Sequence, residues 1–148
     1  FKNKSEAELI TIEGSVFDGN GNPLEDVMLE TWQCDEIGQF SEDKGFARFI
    51  PDDLTKKFKL KTVKPGSIKD FEGKIHSPHI LLSISSKGLN MTLNTRVYFN
   101  DDDLKNDPLL SIIKTKNINS LIAQKIEKNK YLFNIFLQGD EETVFLDI

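Results

Sequence analysis

The sequence predicts an all-β fold, an antiparallel β-sandwich with one or two short helices, on three observations. Apolar and polar residues alternate in short segments, the period of strands with one buried face. Clusters of Gly, Pro, Asn and Asp punctuate these segments closely enough for a sandwich. Helical spacing appears only in "DPLLSIIKT" and "SLIAQKIEK".

The elements follow in order. "ELITIEGSVF" sets Ile10 and Ile12 against Leu9 and Thr11, then meets "DGNGNP", whose glycines and asparagines tolerate the positive φ of tight turns. A hairpin is expected there, with "EDVMLETWQC" as its second arm. That arm places Val27, Leu29 and Thr31 on one face and Met28, Glu30 and Trp32 on the other. Further strands are expected at "FARFI", "KFKLKTV", "HILLSIS", "LNTRVYF", "YLFNIFLQ" and "TVFLDI". Asp107 is suited to cap the first helical segment, with Pro108 in its first turn.

A chain of 148 residues with 38% hydrophobic content suits one domain over 1–148 and is short for two. Its net charge of -5 disfavours nucleic acid and anionic membranes as partners. A single cysteine, Cys34, permits no intrachain disulfide, and a reducing cytoplasm is expected. No apolar run is long enough to span a bilayer, and no basic-then-apolar start reads as a signal peptide. The start at Phe1 suggests that leader residues have been trimmed.

Several motifs fail the chemistry they would need. "DGNGNPLEDVML" begins like a calcium loop, but Pro23 stands where the sharp turn needs glycine and Leu29 where a bidentate glutamate is needed. Lys57, Lys59 and Lys61 share a strand face without interleaved aromatics, so a solvated face is expected rather than a nucleic-acid stripe. Cys34 is expected to be a packing residue beside Trp32, and Arg96 an ion-pair residue within its strand. The sequence contains no Gly-x-Ser-x-Gly, Walker loop or dinucleotide fingerprint.

Six fragments in register, "GSVFDGNGNPLEDVMLETWQCDEIGQF", "KTVKPG", "SPHILLSISSKGLN", "LNTRVYFNDDDLKNDP", "SLIA" and "LQGDEETVFLDI", resemble the intradiol ring-cleaving dioxygenases from about Gly14 to Ile148. Within that family they look most like the alpha chains, which bind no metal and pair with iron-bearing beta chains. The resemblance implies the family's β-sandwich and a place in a complex that cleaves protocatechuate, in aromatic catabolism.

Catalytic chains of the family hold ferric iron with two tyrosinates and two histidines, hard oxygen donors and imidazoles suited to that oxidation state. Carried over residue by residue, the first tyrosine position falls on Phe40, the second on Ile68, and the His-x-His pair on His79 and Leu81. His76 falls where catalytic chains carry an arginine. By strand alternation it is expected to face away from His79. One donor of four remains, so no metal is expected in this chain, and Fe(III) is expected in the partner beta subunit. The resemblance further implies that Lys87, where family alpha chains tend to carry an arginine, attracts a substrate carboxylate; otherwise it is a solvated turn lysine.

The Thr-Pro-x-x-x-x-Gly-Pro-Tyr motif of the family's N-terminal arm does not occur in the sequence, so that arm is expected to be trimmed or naturally missing, and the loop between Phe40 and Gly45 is short. Two other readings are kept. A metal-free homo-oligomeric scaffold or binding protein fits the same fold, since fold does not fix function. A self-contained enzyme with a different metal site finds no favourable ligand spacing.

Overall fold

The computed structural model describes residues 7–86, 92–114 and 117–147. Lys87, the ends Phe1 and Ile148, and much of the turn after "SISS" lie outside them.

The strands in chain order are β1 (Leu9–Gly14), β2 (Val16–Phe17), β3 (Val27–Trp32), β4 (Phe46–Phe49), β5 (Phe58–Val63), β6 (Ile68–Lys69), β7 (Ile75–His76), β8 (His79–Ser86) and β9 (Leu93–Phe99). Helix α1 (Pro108–Ile112) and a 3-10 turn at Ile118–Leu121 come next, then β10 (Ile122–Glu127), β11 (Lys130–Leu132) and β12 (Ile135–Phe136). Eight of these strands form one curled sheet in the order β4-β3-β8-β9-β10-β11-β1-β5. The rings of Phe49 on β4 and Phe58 on β5 lie 6.0 Å apart, so the two ends of the sheet meet across the core. The sandwich is therefore one sheet folded over upon itself. Its pairings are mostly antiparallel, but β1 with β11, β9 with β10 and β2 with β12 run parallel.

One face of each half supplies the main core, with Ile10, Ile12, Leu29, Ile80, Ile84, Val97 and Tyr131 among its buried members. The alternation of β3 works as the sequence predicts: Val27, Leu29 and Thr31 are buried. Lys57, Lys59 and Lys61 are all exposed, which leaves β5 a charged edge that discourages further strand addition.

Three expectations are corrected. The turn after β2 does fold back, with Leu24 N–H donating to Val16 O, but β3 leaves to pair with β4 and β8. Alternation identifies a strand without naming its neighbour. "SLIAQKIEK" is not helical beyond its 3-10 turn, because the backbone of Ile122–Glu127 is needed to bridge β9 and β11. Only Ala123 of that strand is buried, so little apolar periodicity opposed the tertiary pairing. "TVFLDI" is extended but makes isolated bonds rather than a ladder, with Thr143 N–H to Phe136 O and Leu146 N–H to Asn94 O.

Three loops share one device, legible as D-x-x-G-x: "DGNGN", "DEIGQ" and "DFEGK". In each the aspartate Oδ1 accepts from the N–H groups two and four residues on. The glycines at the fourth place, Gly21, Gly38 and Gly73, take φ of 81°, 88° and 81°, a region that glycine enters without penalty. The aspartate of "DGNGN" is therefore spent on its own turn. The aspartates of "DEIGQ" and "DFEGK" shape the loops beside the site described next.

Candidate functional site

On the outward face of β8 and β9 the register sets His79 opposite Tyr98 and Leu81 opposite Arg96. Trp32 on β3 flanks Leu81 from the other side, and Phe40 stacks on Trp32 with ring centroids 5.7 Å apart. The loop carrying Phe40 docks on the one leading to Ile68: Gly66 N–H donates to Asp35 O, and a side chain at Gly38 would meet Ser67 O at 2.2 Å. Ile68 pairs with His76 in the β6–β7 hairpin. Phe40, Ile68, His79 and Leu81 are thus linked through shared neighbours into one patch.

His76 does not face away from His79. Ser77 and Pro78 break the chain between β7 and β8, so counting alternation across them fails, and the two rings lie 6.1 Å apart. Nδ1 of His79 lies 2.8 Å from Ser77 O; a carbonyl only accepts, so this nitrogen carries the hydrogen and Nε2 the lone pair. Burial, reinforced by the Arg96 charge, lowers the His79 pKa to about 4.

Arg96 is not an ion-pair residue in the expected sense. Among the described residues no carboxylate touches it. Its Nη1 donates to Tyr98 Oη at 2.7 Å and lies 3.3 Å from Nδ1 of His76. Tyr98 Oη in turn donates to Oδ1 of Asp107 at 2.9 Å, while Nε2 of His76 lies 3.0 Å from Asp70. Asp107 is 1% exposed and accepts four hydrogen bonds, from Tyr98, Ser77 N–H, Leu109 N–H and Leu110 N–H. It caps α1 as the sequence predicts and also anchors the network. Asp107–Pro108 signals the cap; nothing in the sequence signals the bonds to Tyr98 and Ser77, which depend on strands brought together by folding.

These residues do not fit a ferric centre. Phe40, Ile68 and Leu81 have no donor atom, and the described residues contain no group of three or more His, Cys, Asp or Glu able to hold a metal ion. Burial raises the pKa of Tyr98 well above the ordinary phenol value, and its proton is committed to Asp107. Tyr131, raised for the same first reason, donates to Asp101 elsewhere in the fold. Cys34 is buried, and its thiol donates to Gly66 O at 3.4 Å; burial raises its pKa, which suits packing rather than nucleophilic work.

The His79 environment predicts a pH effect. The unfolded chain takes up a proton near the ordinary value of 6.5 and the folded chain only near 4, so acidification through that window favours unfolding. The expected loss is about 3 kcal/mol at the full extent of the shift. Urea midpoints from pH 7 to pH 4 should fall more steeply for the parent than for His79→Gln; equal slopes would refute the assignment.

Comparison with known proteins places this geometry. The family model described as dioxygenase matches residues 1–139. The protocatechuate 3,4-dioxygenase alpha chain of Pseudomonas putida is 36% identical over 153 positions, covering 95% of this chain and 76% of that relative. The corresponding alpha chain of Burkholderia cepacia is 34% identical over 160 positions, covering 97% and 79%. Among solved structures, 3-chlorocatechol 1,2-dioxygenase from Rhodococcus opacus 1CP superposes with a TM-score of 0.70 at 18% identity, over 92% of this chain and 61% of that one. Catechol 1,2-dioxygenase from Pseudomonas arvilla C-1 gives 0.67 at 18%, over 94% and 56%. At such identities these structures speak to the fold alone. With the family model spanning most of the chain and relatives above one-third identity, the chain belongs to the dioxygenase family, the intradiol ring-cleaving dioxygenases.

Proposed function

We propose that this chain is the metal-free alpha subunit of a protocatechuate 3,4-dioxygenase-like complex in the cytoplasm. Its partner is a homologous beta subunit that binds Fe(III) and supplies the oxidative chemistry, cleaving protocatechuate to 3-carboxy-cis,cis-muconate. The observation that carries this reading is the coincidence of donor-free side chains at Phe40, Ile68 and Leu81 with likeness to two alpha chains over nearly the whole sequence. Phe40, Ile68, His79 and Leu81 are read as an emptied iron site kept as structure.

The work of this chain is then to associate and to shape. Around Trp32 the outer face exposes Phe40 at 49% and Phe46 at 56%, more apolar surface than a solitary face needs, which supports association there. Lys87 is proposed to lend a positive charge at the mouth of the partner's pocket, as a point charge rather than the bidentate fork of an arginine. The same apolar face would equally serve a homo-oligomeric scaffold.

The test is iron content, visible absorption and oxygen uptake of the chain purified alone and after co-expression with a beta chain carrying both tyrosines and the His-x-His pair. A colourless, iron-free lone chain and a coloured complex that consumes oxygen with protocatechuate are expected. Stoichiometric iron in the lone chain would overturn the metal-free assignment. A stable homo-oligomer that ignores the beta chain would favour the scaffold.

A further inference from the structure

The geometry points to Arg96 as a resident cation that holds the place of the metal and keeps other cations out. This rests on reading Phe40, Ile68, His79 and Leu81 as the emptied positions, and it goes beyond the loss of ligands at three of them. Arg96 stands directly across from Leu81 in the β8–β9 register. Its Nη1 donates to Tyr98, the strand partner of His79. The same nitrogen lies 3.3 Å from Nδ1 of His76, the strand partner of Ile68. Three of the four emptied positions therefore have a cross-strand neighbour that is the arginine itself or is bonded to it.

The charge has a use in this place. Asp107 is buried, and its four hydrogen-bond donors are all neutral groups, so a nearby cation still offsets its charge. Arg96 reaches Asp107 through Tyr98 and Asp70 through His76, each one hydrogen-bonded group removed. A metal ion bridging such groups would supply positive charge in a similar way; here a side chain does so. Arg96 Nε is buried without a hydrogen-bond partner, which disfavours the fold. That unmade bond at Nε is offset by the charge of the guanidinium and by the contacts of Nη1 with Tyr98 and His76. The same charge repels any divalent cation approaching the free Nε2 of His79, in a site where water screens poorly.

Restoring the missing histidine should therefore not restore metal binding while Arg96 remains. Leu81→His recreates the His-x-His pair, and Leu81→His/Arg96→Gln does so with the charge removed and hydrogen-bonding capacity retained. Co(II) is the probe, titrated into each isolated full chain and followed by its visible d–d absorption, with folding checked by circular dichroism. The expected result is that the double variant binds Co(II) roughly a hundredfold tighter than Leu81→His alone. Leu81→His/Arg96→Lys, which keeps the charge, should bind as weakly as the single variant. Equal affinity in the single and the Gln double variants overturns the inference, and Arg96→Met replaces Arg96→Gln if the latter does not fold. Because no beta chain enters the experiment, its outcome is independent of the subunit reading.

Discussion

Replacing Gly14 by alanine is expected to lower the melting temperature by roughly 10 °C, or to prevent folding outright, through a loss of about 3 kcal/mol or more. Gly14 ends β1, where the chain beyond β11 runs alongside: Phe133 N–H donates to Glu13 O and Ile135 N–H to Ser15 O. A Cβ at Gly14 would stand 1.9 Å from Phe133 O and 3.1 Å from the ring tip of Phe58. The first contact is with backbone, which cannot swing aside as a side chain can, so the β1–β11 pairing itself must open. Gly21→Ala is the control. Gly21 has a positive φ but open space around it, so that substitution should cost only about 1 kcal/mol. Thermal or urea unfolding of the two variants settles the matter: similar losses would mean that the chain beside Phe133 gives way at little cost, and that close approach does not require glycine at position 14.

Asp107→Ala is expected to cost about 3 to 5 kcal/mol, because it orphans several buried groups together. Tyr98, Ser77 N–H and two N–H groups of α1 lose their acceptor, and Arg96 loses one of the two carboxylates it reaches through an intermediary. Asp107→Asn keeps one acceptor oxygen and the shape, so about 2 kcal/mol is expected. The ordering is checked by urea unfolding. If Ala and Asn cost the same small amount, comparable to an exposed helix cap, Asp107 serves α1 alone and the network does not hold the site.

The strands with a buried face, β1, β3 and β5 among them, were legible because burial writes itself into the sequence as alternation: Val27, Leu29 and Thr31 show it plainly. The cap at Asp107 and the "DGNGNP" turn were legible for a related reason, since their hydrogen bonds span only a few residues. Donor-free side chains at Phe40, Ile68 and Leu81 likewise needed no coordinates. A phenyl ring or an aliphatic chain lacks an oxygen wherever it stands. Fold class and the local caps were thus determined by residue identity and short-range spacing, whereas the choice of Phe40, Ile68 and Leu81 as the positions to inspect came from the resemblance to the intradiol dioxygenases.

Tertiary structure decided the rest. Whether β3 pairs with β1 or with β8, and whether Ile122–Glu127 is helix or strand, turns on which backbone partners arrive from far along the chain. The nearness of His76 to His79 depends on a break at Ser77–Pro78 that no alternation rule anticipates. Arg96, Tyr98 and Asp107 form one network only because the residue that caps α1 returns to β9. Hydrogen bonds and charges act at a few ångströms in space and leave no periodic trace along the sequence, so the chemistry that fills this site appears only once the chain has folded.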